Sequence, residues 1–127
     1  MVGYVDNIEN KTLQNNFFRE VIFTGKYTQL VVMSLNPKEE IGMEVHNTVD
    51  QFLRVENGVG KVILNGEEHQ ISDGVAIIVP AGTEHNVINT SESQKLKLYT
   101  LYSPPNHKDG TIHKTRGEAM LDEEDHV

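Results

Sequence analysis

Three groups of residues in this chain carry side chains able to do chemistry. The first is Gly42-Met43-Glu44-Val45-His46, followed by Asp50 and Gln51. Side chains two apart on a strand point to the same face, so Glu44 and His46 project together. On an inward face they are the beginning of a divalent-metal site. Asn47-Thr48-Val49-Asp50 reads as a turn, which returns Gln51 at the head of the next strand. The second group runs from Val79-Pro80-Ala81-Gly82 through His85 to Asn89. Its Pro and Gly make a tight turn, and His85 opens the strand that follows. The third is Pro104-Pro105-Asn106-His107, then Asp109-Gly110-Thr111-Ile112-His113. Taken singly, each has a plainer reading, since a His near a turn is most often a polar surface residue. His69 beside Glu67 and Glu68, and His126 in the acidic end, read as surface.

The elements that must position these groups are strands. From Val21 onward, short apolar or alternating runs are separated by turn signals. The runs are Val21–Thr24, Gln29–Leu35, Met43–His46, Gln51–Glu56, Lys61–Leu64, Glu68–Ile71, Val75–Val79, His85–Asn89 and Leu96–Tyr102. Asn57-Gly58 and Asn65-Gly66 are strong tight-turn signals, because such turns need positive φ. Asn7-Ile8-Glu9-Asn10 is a candidate helix start, with loose apolar spacing behind it. Many short strands with no helices between them predict an all-β sandwich or barrel.

Composition narrows the class of function. The chain has 127 residues and no cysteine, so it can bury a core without disulfides and has no thiolate site. The net charge is −8, and five of the 19 acids fall in the ten residues from Glu118 to Val127. The remaining chain is mildly acidic, which argues against nucleic acid or an anionic membrane as partner. The acidic end is expected to be solvated and frayed. No apolar run is long enough to span a membrane, and Met1 to Asp6 does not read as a secretory signal, so a soluble cytoplasmic protein is expected.

Together, the first two groups resemble the cupin superfamily, whose two motifs flank a small jelly-roll barrel. Gly74, Pro80, Gly82, His85 and Asn89 fit the second motif at every spacing. The stretch from Gly42 to Gly58 has the outline of the first. Glu44 stands where that motif has its first His, His46 is the second, and the acid position falls on Asp50 or Gln51. The ending from Tyr99 to Lys114 resembles that of small single-domain cupins of the mannose-6-phosphate isomerase-like group. The resemblance implies a cupin jelly-roll β-barrel over about 25–103, a short N-terminal segment, and an irregular tail over 104–127, the whole forming one domain.

It also implies a divalent metal held by Glu44, His46, Gln51 and His85. Gln51 is preferred to Asp50 because some metal-binding cupins place a Gln at that spacing, which leaves Asp50 as a turn residue or an acceptor behind the ligands. Such a mixed N/O set suits Zn²⁺, Mn²⁺, Fe²⁺, Ni²⁺ or Co²⁺ without choosing among them. The alternative is a site that has lost a ligand, with Glu44 a base or simply hydrogen-bonded. A tail folded over the barrel mouth would add His107, Asp109 or His113, so Glu44, His107 and His113 are the candidate catalytic groups. Lys108, Lys114 and Arg116 are cations that a carboxylate or phosphate could meet.

The function implied is an isomerase or lyase acting on a small hydroxy-carbonyl or sugar-like compound. A cupin dioxygenase using Fe or another redox metal, and a non-catalytic small-molecule or sugar-binding cupin, are the alternatives. A homodimer is expected. Phe17, Phe18 and Phe23 precede both motifs and are expected to lie outside the inner core, where a second subunit would cover them.

Overall fold

The computed structural model describes residues 2–126. In chain order the elements are α1 (Ile8–Gln14), β1 (Arg19–Thr24), β2 (Gln29–Leu35), β3 (Glu44–Val45), β4 (Asp50–Asn57) and β5 (Val59–Leu64). They continue with β6 (Glu67–Ser72), β7 (Ala76–Val79), β8 (Glu84–Asn89), β9 (Leu96–Ser103), β10 (Ile112–His113) and α2 (Arg116–Leu121). The strands form a six-stranded sheet, β10-β1-β2-β9-β4-β7, and a four-stranded sheet, β3-β8-β5-β6. Every pairing is antiparallel. The result is all-β, as the strand pattern predicts, and a jelly roll, as the resemblance implies, with α1 starting where Asn7 caps it by accepting from Asn10 N.

The core fills the space between the sheets. Met33, Leu35, Leu53, Val55, Leu96 and Leu98 from the larger sheet meet Val62, Ile71 and Val87 from the smaller one. Strict alternation on β9 turns Leu96, Leu98, Thr100 and Tyr102 inward. The register then stacks the interior in layers across β2, β9 and β4. Met33, Leu98 and Val55 form one row, followed by Val31, Thr100 and Leu53, and then by Gln29, Tyr102 and Gln51. One end of the barrel is therefore apolar and the other is polar. Burial of apolar area at about 25 cal/mol per Å² stabilises the first end. The second end must satisfy its polar groups by hydrogen bonds or by a ligand.

Turn chemistry fixes the connections. Gly58 has φ +113, and a Cβ there would come within 2.7 Å of the Lys95 carbonyl oxygen. Asn89 is wholly buried, and its Nδ2 donates to the carbonyls of Leu35, Asn36 and Gln94. The last position of the second motif thus closes the apolar end. The opening position of the first motif, five residues clear of Glu44, falls on Lys38 rather than Gly42. Lys38 nevertheless takes φ +66, the left-handed conformation that favours glycine.

Three expectations change. Phe18 belongs to the core cluster, and the Phe23 ring lies 6.2 Å from that of Tyr4, so this segment is not an uncovered apolar flank. The acidic end is not frayed throughout. It contains α2, whose cap Thr115 accepts from Glu118 N, and its Asp125 is only 3% exposed. The end returns to the body where His107 bridges to His126 and Lys108 N donates to the Asp125 carbonyl. β10 is also new: two residues become a strand because Ile112 and His113 pair with Glu20 and Arg19.

Candidate metal centre at the polar end of the barrel

β3 and β8 bring the two motifs together, with Glu44 directly opposite His85. His46 follows β3, and its carbonyl accepts from Gly82 N at 2.8 Å, which ties the Pro80–Gly82 turn to the first motif. Asp50 Oδ1 accepts from Ala81 N at 2.8 Å, so Asp50 holds the same turn from the other side. Ligand atoms of Glu44, His46 and His85 all lie within 4.8 Å of one another. The His46 and His85 rings are 5.2 Å apart. His85 Nδ1 is 2.9 Å from the Thr83 carbonyl oxygen, which can only accept. The proton therefore sits on Nδ1, and Nε2 keeps its lone pair.

Gln51 lies on β4 opposite Tyr102, whose ring meets His46 edge-on at 5.9 Å. Its Nε2 donates to Thr100 Oγ1 at 3.0 Å, while its Oε1 is buried without a hydrogen-bond partner. His46 Nε2 is likewise buried without a directed hydrogen bond, although Glu44 Oε2 approaches it obliquely at 2.9 Å. An orphaned buried acceptor costs about 1–3 kcal/mol unless something binds it. The donor set of carboxylate, two imidazoles and one amide oxygen fits a divalent cation on both counts. Burial pushes the Glu44 carboxyl upward, but His46, then Arg19 and His85, outweigh it and hold the group below the usual carboxylate range.

Behind this cluster the tail builds a second row. His107 Nδ1 donates to Asp125 Oδ2 at 2.6 Å, and its Nε2 is 3.2 Å from the Tyr102 hydroxyl. Burial pushes the His107 pKa down, which favours the neutral ring that this arrangement requires. Burial also pushes the Tyr102 phenol upward, so its hydroxyl keeps its proton and donates to His107. Asp125 is held well below the carboxylate range. Its burial works the other way and is outweighed by the bonds from His107 and from Thr111 Oγ1 at 2.9 Å. Gln29 fixes the segment by accepting from the N–H groups of Asn106 and His107 and donating to the His107 carbonyl.

His113 plays a parallel part. Its Nδ1 accepts from Arg19 Nη1 at 3.2 Å, and its Nε2 donates to Asp122 Oδ2 at 2.9 Å. The structure therefore brings Glu44, His46 and His85 into one cluster, with Gln51 beside it across Tyr102. His107 and His113 meet that region through Tyr102 and Arg19 rather than directly. Asp109 and Lys108 are exposed. Arg19, Tyr102 and Asp125 are members of the site that residue spacing did not single out.

Comparison with known proteins follows this geometry. The profile of the cupin domain matches residues 31–102. The chain is 47% identical over 127 aligned positions to uncharacterized protein YrkC of Bacillus subtilis (strain 168), covering 95% of this chain and 68% of that protein. The crystal structure of BH2720 from Bacillus halodurans superposes with a TM-score of 0.91 at 43% identity, covering 94% of each chain. KdgF from Halomonas sp. shares the fold, with a TM-score of 0.64 at 23% identity over 72% of this chain and 79% of that one.

Proposed function

The chain belongs to the cupin domain family, and on that footing we propose that it is a metal-dependent enzyme of isomerase or lyase type. Its substrate is a small hydroxy-carbonyl or sugar-like compound, and its working form is a homodimer. The observation that carries this reading is the cluster of Glu44, His46 and His85, whose ligand atoms lie within 4.8 Å of one another, together with the buried, unpartnered Oε1 of Gln51. Two imidazole nitrogens, a carboxylate oxygen and an amide oxygen are all donors that suit a divalent cation.

Glu44, His46, Gln51 and His85 would hold the metal, which when bound polarises a carbonyl or hydroxyl oxygen and makes the adjacent C–H more acidic. The chain's own groups do the rest. Glu44 is ionised at neutral pH and partly open to the cavity, so where it is not a ligand it is able to accept a proton from a bound hydroxy-carbonyl compound. Tyr102 presents a neutral wall whose hydroxyl is committed to His107. Thr83 and Thr100 hold the His85 ring and the Gln51 amide in the orientation that leaves Nε2 and Oε1 free. His107 and His113 are positioning residues that act through Tyr102 and Arg19.

The test is elemental analysis of protein purified without an affinity tag, followed by titration of the chelator-treated protein with Zn²⁺, Mn²⁺, Fe²⁺, Ni²⁺ and Co²⁺. One divalent ion per chain is expected. His46→Ala and His85→Ala should each weaken its binding by more than about 100-fold. Turnover of hydroxy-carbonyl compounds should then return with the metal. Protein that takes up none of these ions, or holds one equally well after both substitutions, would defeat the reading.

A further inference from the structure

Two arginines face one small cavity beside Glu44, and neither is fully used. The cavity has a volume of about 80 Å³ and is lined by Arg19, Arg116, Glu44, Met120, Asp125 and His126 among others. Arg19 is only 6% exposed, and its Nε has no hydrogen-bond partner. Its guanidinium lies over the Phe18 ring at 5.2 Å, and one end is held by His113. Arg116, the first residue of α2, has a buried Nε that is also without a partner. Both residues line the cavity and both Nε donors are buried without a partner, while the other end of Arg116 reaches the Ile41 carbonyl oxygen at 3.5 Å.

A buried guanidinium N–H without an acceptor is costly, and two residues that line this cavity each carry one. The carboxylates on the same cavity attract Arg19 but accept no hydrogen bond from either arginine. Asp125 gives its two oxygens to His107 and Thr111, and Glu44 turns an oxygen to His46. What the donors lack is an acceptor from outside the chain. Planar guanidinium groups suit carboxylate oxygens. The volume has room for about five water-sized groups, which is a carboxylate on a short chain. Met120 and Ala119 of α2 supply the apolar side.

We propose that this cavity is the carboxylate subsite of the protein, in which Arg19 and Arg116 bind the acid group of a short hydroxy- or oxo-carboxylate substrate beside the Glu44–His46–His85 cluster. The proposal rests on the functional reading above and narrows its substrate class to anions. It gives α2 a purpose: the helix carries one of the two arginines to the barrel mouth, so the site is complete only when the C-terminal segment is docked.

Glycolate and its neutral counterpart glycolamide are the probes, with binding measured by calorimetry on both metal-loaded and chelator-treated protein. Glycolate should bind in both states, and glycolamide about tenfold more weakly or worse. Arg19→Gln and Arg116→Gln should each lower glycolate affinity about tenfold or more in the chelator-treated protein. Metal uptake by Arg116→Gln should equal that of the unsubstituted protein. Arg116 is partly exposed at the start of a helix, so its variant remains informative even where Arg19→Gln does not fold. Equal binding of glycolate and glycolamide, or glycolate affinity unchanged in Arg116→Gln, would overturn the subsite. A protein that takes up no metal yet binds glycolate through both arginines would uphold it while removing the metal from the functional reading.

Discussion

In the proposed metal site, Gln51 has one end held and one end free. Its amide nitrogen is spent on Thr100, so the oxygen is the end left over, buried and without a donor. Thr100→Val should free the amide to rotate and weaken metal binding about tenfold, with little change in fold, as read by metal titration and circular dichroism. Glu44 is the least constrained member of the cluster. Glu44→Gln keeps the shape and removes the charge, and weaker metal retention is the expected result. Unchanged retention with lost turnover would move Glu44 from ligand to base. The meeting of His46 and His85 was legible in the sequence because two motifs fix their spacing. Arg19 was not. An Arg between Phe18 and Glu20 at a strand start looks like any solvated charge, and its burial depends on His113, far along the chain.

At the scale of elements, the strands announced themselves and the tail did not. All nine strand runs in the sequence recur in the structure, because Asn-Gly turns and period-two alternation are local signals. β10 has no local signal, since two residues become a strand only by pairing with β1. α2 carries a weak one, Thr115 followed by Glu118 at capping-box spacing, on a helix too short to show an apolar face. What anchors this tail is the buried Asp125–His107 bond. In the unfolded chain both groups take up protons more readily than in the folded one, because Asp125 is held down by its donors and His107 by burial. Stability from the pair is therefore complete above the ordinary histidine pKa of about 6.5. It falls as pH drops, first through His107 and then, below about 4, through Asp125. Hydrogen exchange should show residues 104–126 opening on acidification before the sheets do. Asp125→Asn should open them at neutral pH. Exchange in that segment that is independent of pH and unaffected by the substitution would mean that the anchor lies elsewhere.

The whole molecule has four strand edges, and they are not alike. β10 ends the larger sheet with His113, β3 and β6 bound the smaller one with Glu44 and with Glu67, Glu68 and His69, and β7 ends the larger sheet at its other side. Among these described edges β7 alone, Ala76-Ile77-Ile78-Val79, carries no ionisable residue to discourage pairing. Ile78 is 68% exposed there, beside an apolar groove of about 330 Å³ that includes Leu64, Ile71 and Ile77. A second copy is the fitting occupant. β7 laid antiparallel on the partner's β7 about a two-fold axis would pair the free backbone groups and cover both Ile78 side chains. The Phe residues of β1 and the segment before it do not serve this purpose, since Phe18 is spent on the core. Sedimentation at micromolar concentration should give about twice the 14.3 kDa chain mass. Ile78→Lys should return the chain mass with metal uptake unchanged, because Ile78 is exposed on the outer face of its strand and a charge there opposes pairing without touching the barrel's interior. A mass of 14.3 kDa for the unsubstituted protein would rule the assembly out, and a dimer that persists in the Lys variant would move the interface to another edge.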